Sequence, residues 1–244
     1  MIQPSVTCTS IERRLGVSGE PLRRDAADLG EGILGHVSAR GADDALVVRC
    51  RGEDERGLRR TRRGDIWRVS TDGGGIDVPS GFAPPNELPI HTELMRTRPE
   101  VGAVVHAHPR AALLAGLAEL EPRPVFGAYN IPAMRLARDG VPVFRRPVLI
   151  TRRELAAEMV AAMGAADVCL LRGHGITVAG PTVEAAVVTA INLNALLEVT
   201  VELARLGAQP PDVDVRDLAE LPDLGSAFND RMTWQALVAA LDEA

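Results

Sequence analysis

The stretch Val101 to Pro109 reads VGAVVHAHP, and its two histidines are the densest chemistry in the chain. In an extended strand successive side chains point to opposite faces. Val104, His106 and His108 therefore share one face, and Val105 and Ala107 the other. Alternate Cα atoms stand about 6.5–7 Å apart, which lets two imidazoles converge on one ion. Glu87 lies upstream in PPNELPIH and His174 downstream in LRGHGITVAG. His-x-His with a distant histidine and a carboxylate is the ligand set of an open metal site. Alone, two strand histidines fit a metal site or an ordinary core or surface position. The strand-ending proline and the glycines on both sides of His174 favour the site, because glycine lets backbone turn sharply beside a ligand.

Composition narrows the chemistry further. The 27 basic residues are all arginine. A chain without lysine forms no lysine Schiff base, which excludes pyridoxal phosphate chemistry and lysine-based aldol chemistry. It also lacks the lysine of a Walker-type phosphate loop. Carbanion chemistry here needs another electron sink, and a divalent metal is the evident one. The three cysteines, Cys8, Cys50 and Cys169, are scattered with no CxxC pair, so neither a disulfide framework nor a thiolate zinc site is suggested. Cys169, within DVCLL, reads as a buried small hydrophobe. Apolar content of 46%, charged content of 25% and a net charge of −6 describe a soluble globular chain with no nucleic-acid partner. No apolar run reaches transmembrane length, and MIQPSVTCTSIERRLG lacks the apolar core of a signal peptide. The expectation is a cytoplasmic protein with no membrane partner.

The elements that must position these residues follow from periodicity and punctuation. Residues 9–34 read as helix, broken near 16–21. Gly35 to Arg40 and Ala45 to Arg49 read as hairpin strands around a GADD turn, and Asp65 to Ser70 as another short strand. The charged run EDERGLRRTRRGD reads as a solvated loop. A helix is expected within Pro84–Arg98, with Pro89 in its first turn and Glu87 just before the regular part. Another follows the histidine strand over Pro109–Leu120. Pro124 to Ala128, VPVF and PVLI read as strand pieces, with a loop and short helix in FGAYNIPAMRLARDG. Thr151 to Met163 carries a T-x-x-E capping box through Glu154 and stops at Gly164. DVCLLR reads as a fully buried strand and ITVAG as a short one, separated by GHG. The longest helix is capped by Thr182 and runs to Gly207. The tail from 209 begins as a linker and ends in a short helix around Trp234. The whole reads as one α/β domain over residues 1–244, a mostly antiparallel central sheet with helices on both sides.

The order NELPIH, VVHAHP, LRGHGITVAG and a long helix resembles the class II aldolase/adducin family, from about Gly35 to Gly207. The resemblance implies that His106, His108 and His174 bind a divalent metal (zinc, manganese, iron or cobalt). It implies that Glu87 serves as acid/base and as a further ligand. GHVSAR at 35–40 is similar to the family's glycine–asparagine–x–serine–x–arginine segment, with His36 in place of the asparagine. Tyr129 lies near the position of a tyrosine that reaches a neighbouring subunit's site in the family's aldolases. A homotetramer with sites between subunits is the implied assembly. Adducin shares the fold without catalysis, so a non-catalytic module is an alternative.

The departures bear on the substrate. The family's threonine–proline–serine–glycine phosphate segment falls at Arg49-Cys50-Arg51-Gly52, and its two serines before the glutamate at Pro85 and Asn86. Both hydroxyl sets are gone. Arginine forked onto a carboxylate suits an acidic, non-phosphorylated substrate, with Arg49, Arg51 and Asn86 as the candidate contacts. His91 reads as structural, orienting Glu87 or capping its helix. PPNELPIH and AYNIPAMRLA are most similar to the family's metal-dependent decarboxylases of hydroxylated aromatic dicarboxylates, the dihydroxyphthalate type. A carboxy-lyase is therefore the expectation, with His36 or Tyr129 protonating the ring carbon. An aldolase or epimerase acting on a hydroxy-carbonyl or sugar phosphate is the alternative.

Overall fold

The protein was analysed as a computed structural model, which describes residue 29 and residues 33–43 and 45–242. The helix expected over residues 9–34 lies almost wholly outside them. Strands β1 (His36–Arg40), β2 (Ala45–Arg49), β3 (Ile66–Ser70), β4 (Ala103–Ala107), β5 (Val143–Phe144), β6 (Val168–Leu171) and β7 (Gly175–Gly180) form one seven-stranded sheet in the order β3-β2-β1-β4-β7-β6-β5. Every pairing is antiparallel except β5 with β6. The helices are α1 (Leu88–Thr97), α2 (Arg110–Leu117), α3 (Ile131–Arg138), α4 (Arg153–Met163), α5 (Val183–Arg205), α6 (Val215–Leu218) and α7 (Thr233–Asp242), with a π-helical turn at Ala227–Met232 before the last.

The central strands are buried on both faces, and their alternation sorts side chains between two cores. Val105, Ala107, Leu170, Ile176 and Val178 pack with Ala112 of α2, Ala137 of α3 and Leu193 of α5. Val104, Cys169, Leu171 and Ala179 pack on the other face with Leu94 of α1 and Met159 of α4. Leu94, Met95, Met159 and Met163 are fully buried there, and each truncation to alanine costs about 2–5 kcal/mol in such settings. His106 projects into this second layer, so helices α1 and α4 form the wall behind the histidines.

Four expectations are corrected. Residues 124–128 form no strand: Val125 is bonded to Arg123 O and Pro124 O accepts from Val213, so the backbone serves loops instead of a ladder. PVLI at 147–150 is also outside the sheet: the Val148 N–H donates to Arg146 O and the Ile150 N–H to the Glu87 carboxylate. Helix α4 starts two residues past Thr151, with Arg152 at its N-cap and no side-chain cap. The capping box does not form. Finally, α5 is long and apolar enough by length and composition to cross a membrane. Nine of its side chains, from Val183 to Leu197, are buried, and it packs on β7, β4, α2 and α3. Thr182 caps it as expected, its Oγ accepting from Ala185 N.

Candidate metal centre

Strand pairing builds the site. His106 stands opposite Thr177 and Ala107 opposite Ile176 across β4–β7, so the end of β4 meets the start of β7. The turn joining β6 to β7 carries His174 directly over that junction. Two glycines make this turn possible. Gly173 has φ +65°, a left-handed conformation that side chains disfavour. A Cβ on Gly175 would collide with Ala107 O, so β7 reaches this close to β4 only without a side chain there. His108 follows the strand end and precedes Pro109, the N-cap of α2.

Glu87 comes from the opposite wall. It occupies the N-cap position of α1 but does not cap the helix. Its Oε1 accepts the Ile150 N–H at 2.8 Å, while Oε2 lies 3.4 Å from His106 Nε2 and 3.3 Å from His174 Nε2. His106 Nε2 and His108 Nε2 are 2.7 Å apart. One donor atom from each of Glu87, His106, His108 and His174 falls within 4.8 Å of the others.

The electrostatics suit a cation. Burial works to raise the Glu87 carboxyl, but His106, His174 and the Ile150 N–H outweigh it and hold the group well below the usual carboxylate range. Burial pushes the His108 ring down to about 4, and lowers His106 against the opposing pull of Glu87. One charged carboxylate thus faces the neutral rings of His106 and His108. His174 Nδ1 is buried without a hydrogen-bond partner among the described residues, and Nε2 has the Glu87 Oε2 3.3 Å away. Leaving such nitrogens unpaired is costly, and a divalent cation is the partner that the nitrogen and oxygen donor set fits. The residues present therefore fit the metal that the sequence implies.

The two remaining histidines flank this cluster. His36 pairs across the β1–β4 ladder with His106, and their rings are 4.9 Å apart, centroid to centroid. His91, on α1 and fully buried, touches His36 Nδ1 through Nε2 at 2.6 Å and Ser38 Oγ through Nδ1 at 2.6 Å. The expected partner of His91 was Glu87 or the end of its helix; its contacts are instead His36 and Ser38. Burial pushes His91 down to about 3 and also lowers His36, so both rings are neutral. All five histidines of the chain thus gather in one place. Sequence reasoning passed over Ser38 and Ile150. Ser38 sits two residues beyond His36, on the same strand face, which was a readable signal. Nothing in the sequence marked the Ile150 N–H as the anchor of Glu87.

The proposed substrate contacts are placed less uniformly. Asn86 is an exposed turn residue beside Glu87. The Arg49 guanidinium is already held by Glu55 at 2.6 Å and lines a cleft of about 360 Å³ with Glu53, Arg60 and Phe82, a cleft that none of the four donors lines. Arg51 exchanges backbone hydrogen bonds with Ala83, and its side chain is half-buried. Tyr129 is 82% exposed, its ring edge against Phe126 at 6.0 Å. It is not part of the cluster within this chain.

Comparison with known proteins agrees with this construction. The family described as Class II Aldolase and Adducin N-terminal domain matches residues 23–201. A 3,4-dihydroxyphthalate decarboxylase of Arthrobacter keyseri is 48% identical over 219 residues, covering 88% of this chain and 88% of the relative. A protein of the same description from Rhodococcus jostii is 44% identical over 237 residues, covering 95% and 97%. Among solved structures, an aldolase II superfamily protein from Pseudomonas syringae superposes with a TM-score of 0.78 at 18% identity, covering 99% of this chain and 95% of that one. With its sheet order, its four converging donors and a match over most of its length, the chain belongs to the class II aldolase and adducin family.

Proposed function

We propose that this protein is a divalent-metal-dependent decarboxylase of a hydroxylated aromatic dicarboxylate of the 3,4-dihydroxyphthalate type. The observation that carries the reading is similarity of 44–48%, sustained over at least 88% of the chain, to relatives described as 3,4-dihydroxyphthalate decarboxylase. The donor cluster of Glu87, His106, His108 and His174 supports it, because the reaction needs an electron sink and the chain has no lysine.

The reaction replaces a carboxylate by a proton. The bond from ring carbon 2 to its carboxylate breaks, its electron pair stays with the ring, carbon dioxide leaves, and a proton ends on carbon 2. The product is 3,4-dihydroxybenzoate. A bound divalent cation supplies Lewis acidity toward an oxygen beside the breaking bond. His106, His108 and His174 would hold it, together with Glu87, whose carboxylate is fixed in place by the Ile150 N–H. His36, whose ring neighbours that of His106, is the candidate within this chain for an N–H directed at the substrate. Tyr129 serves the same role only if a neighbouring copy receives it, as in a tetramer with sites between subunits. Arg51 is the better candidate for the second carboxylate, since the Arg49 guanidinium is engaged by Glu55. Asn86 lies beside Glu87 at the rim.

A second reading, aldol cleavage of a sugar phosphate, has support in a Rhodospirillum rubrum relative, 31% identical over 173 residues and described as a 5-methylthioribulose-1-phosphate/5-deoxyribulose-1-phosphate aldolase. Protein reconstituted separately with zinc, manganese, iron and cobalt is to be offered both classes of substrate. Carbon dioxide from the aromatic acid supports the first reading. Aldehyde release from the sugar phosphate, without decarboxylation, replaces it with the second.

A further inference from the structure

We infer that Ser38 and His91 are positioning residues that fix the proton of His36 on Nε2, so that His36 faces the metal pocket as a hydrogen-bond donor toward an anionic substrate oxygen. The inference deepens the proposed function and rests on it for the nature of that oxygen. The position of the proton itself rests on the geometry alone.

Three groups form one hydrogen-bonded line: Ser38 Oγ to His91 Nδ1 at 2.6 Å, then His91 Nε2 to His36 Nδ1 at 2.6 Å. Ser38 and His91 are both fully buried. A neutral imidazole carries one N–H and one bare nitrogen, so two arrangements are open. In the first, Ser38 donates to His91 Nδ1, His91 Nε2–H donates to His36 Nδ1, and His36 carries its proton on Nε2. In the second, every proton is reversed, and the Ser38 hydroxyl accepts. Its own hydrogen is then buried with no acceptor among the described residues. An unmatched buried donor is penalised, so the first arrangement is selected.

The choice has a chemical consequence at the metal. A ring nitrogen bearing a proton cannot ligate a cation. His36 sits across the ladder from His106, with ring centroids 4.9 Å apart, yet in this form it is kept out of the ligand set. What it offers instead is an N–H. A phenolate or carboxylate oxygen of a hydroxylated aromatic acid accepts from that N–H, while an uncharged carbonyl gains less. Ser38 and His91 would thereby bias the pocket toward anionic oxygens without touching substrate.

Solid-state 15N spectroscopy of histidine-labelled, zinc-loaded protein tests this, since the chain has only five histidines to assign. The expected spectrum shows His36 protonated on Nε2 and bare on Nδ1. Ser38→Ala removes the bias, so the His36 signals split between the two tautomers. With 3,4-dihydroxyphthalate, kcat falls about tenfold, the scale of one buried hydrogen bond, at unchanged zinc content. Ser38→Thr, which keeps the hydroxyl, restores the single tautomer. A wild-type His36 protonated on Nδ1, or a Ser38→Ala spectrum identical to wild type, overturns the inference whatever the protein's activity. Should neither substrate class react, the proposed function fails while the spectrum still decides the tautomer.

Discussion

Glu87 Oε1 accepts the backbone N–H of Ile150 at 2.8 Å, a contact between residues 63 apart in sequence. The other carboxylate oxygen lies 3.4 Å from His106 Nε2 and 3.3 Å from His174 Nε2. Glu87→Gln keeps an oxygen for Ile150 but removes the charge. Cation affinity is expected to fall at least about tenfold, measured by calorimetric titration with zinc or manganese. Unaltered affinity would show that Glu87 is not a ligand.

Acid should weaken the metal-free fold in a definite window. Burial holds His91 at about 3 and His108 at about 4, both below the ordinary 6.5 of an exposed ring. Below pH 6.5 the unfolded chain takes up protons that the folded rings refuse. Stability is therefore full above 6.5 and drops as pH falls toward 4, by at most roughly 1.4 kcal/mol per pH unit for the buried His91 and by less for the partly solvated His108. Glu87, held below its usual range, adds to the loss once pH passes below the ordinary carboxylate value. Urea midpoints of chelator-treated protein between pH 7.5 and 4.5 check this, and a flat profile would contradict it.

Gly175→Ala places a Cβ against Ala107 O at the junction that carries His174. The expected result is a loss of about 1–3 kcal/mol in stability together with weaker metal binding. Gly64→Ala, where nothing lies within 4 Å, is the control and should change neither. Thermal unfolding and metal titration of both variants give the comparison.

The two arginines of the altered phosphate segment should separate. Arg49 and Glu55 pair at 2.6 Å with side chains 11% and 20% exposed. Arg49→Ala is expected to cost on the order of 2 kcal/mol, less than a wholly buried pair because some solvent remains. Arg51→Ala is expected to raise KM for the aromatic acid about tenfold with thermal stability unchanged. Steady-state kinetics and melting curves distinguish this pattern from its reverse.

Much of the site was legible because strand alternation and turn chemistry act locally. His106, the GHG turn and the Thr182 cap could be read from a few neighbouring residues each, and family order joined the three candidate ligand histidines to Glu87. What stayed hidden depended on tertiary contacts. In the irregular backbone at 147–150, the Ile150 N–H finds its acceptor in a carboxylate 63 residues away. The missing cap at Thr151 reflects a helix whose N-cap is Arg152, one residue past its local signal. Likewise Arg49 looked available for substrate until Glu55, from the following loop, was seen to occupy it. The apolar face of α5 packs on the sheet despite membrane-like composition, a distinction that length and hydropathy do not make.

The most direct measurement is release of labelled carbon dioxide from 3,4-dihydroxyphthalate carrying 13C in the carboxylate at ring carbon 2. Metal-loaded protein is compared with chelator-treated protein and with His106→Ala. The expected result is one labelled carbon dioxide and one 3,4-dihydroxybenzoate per substrate consumed, lost in both controls and restored to the chelated wild type by metal. Turnover that persists without metal, or no labelled carbon dioxide from protein shown to hold its cation, would contradict a metal-dependent decarboxylase.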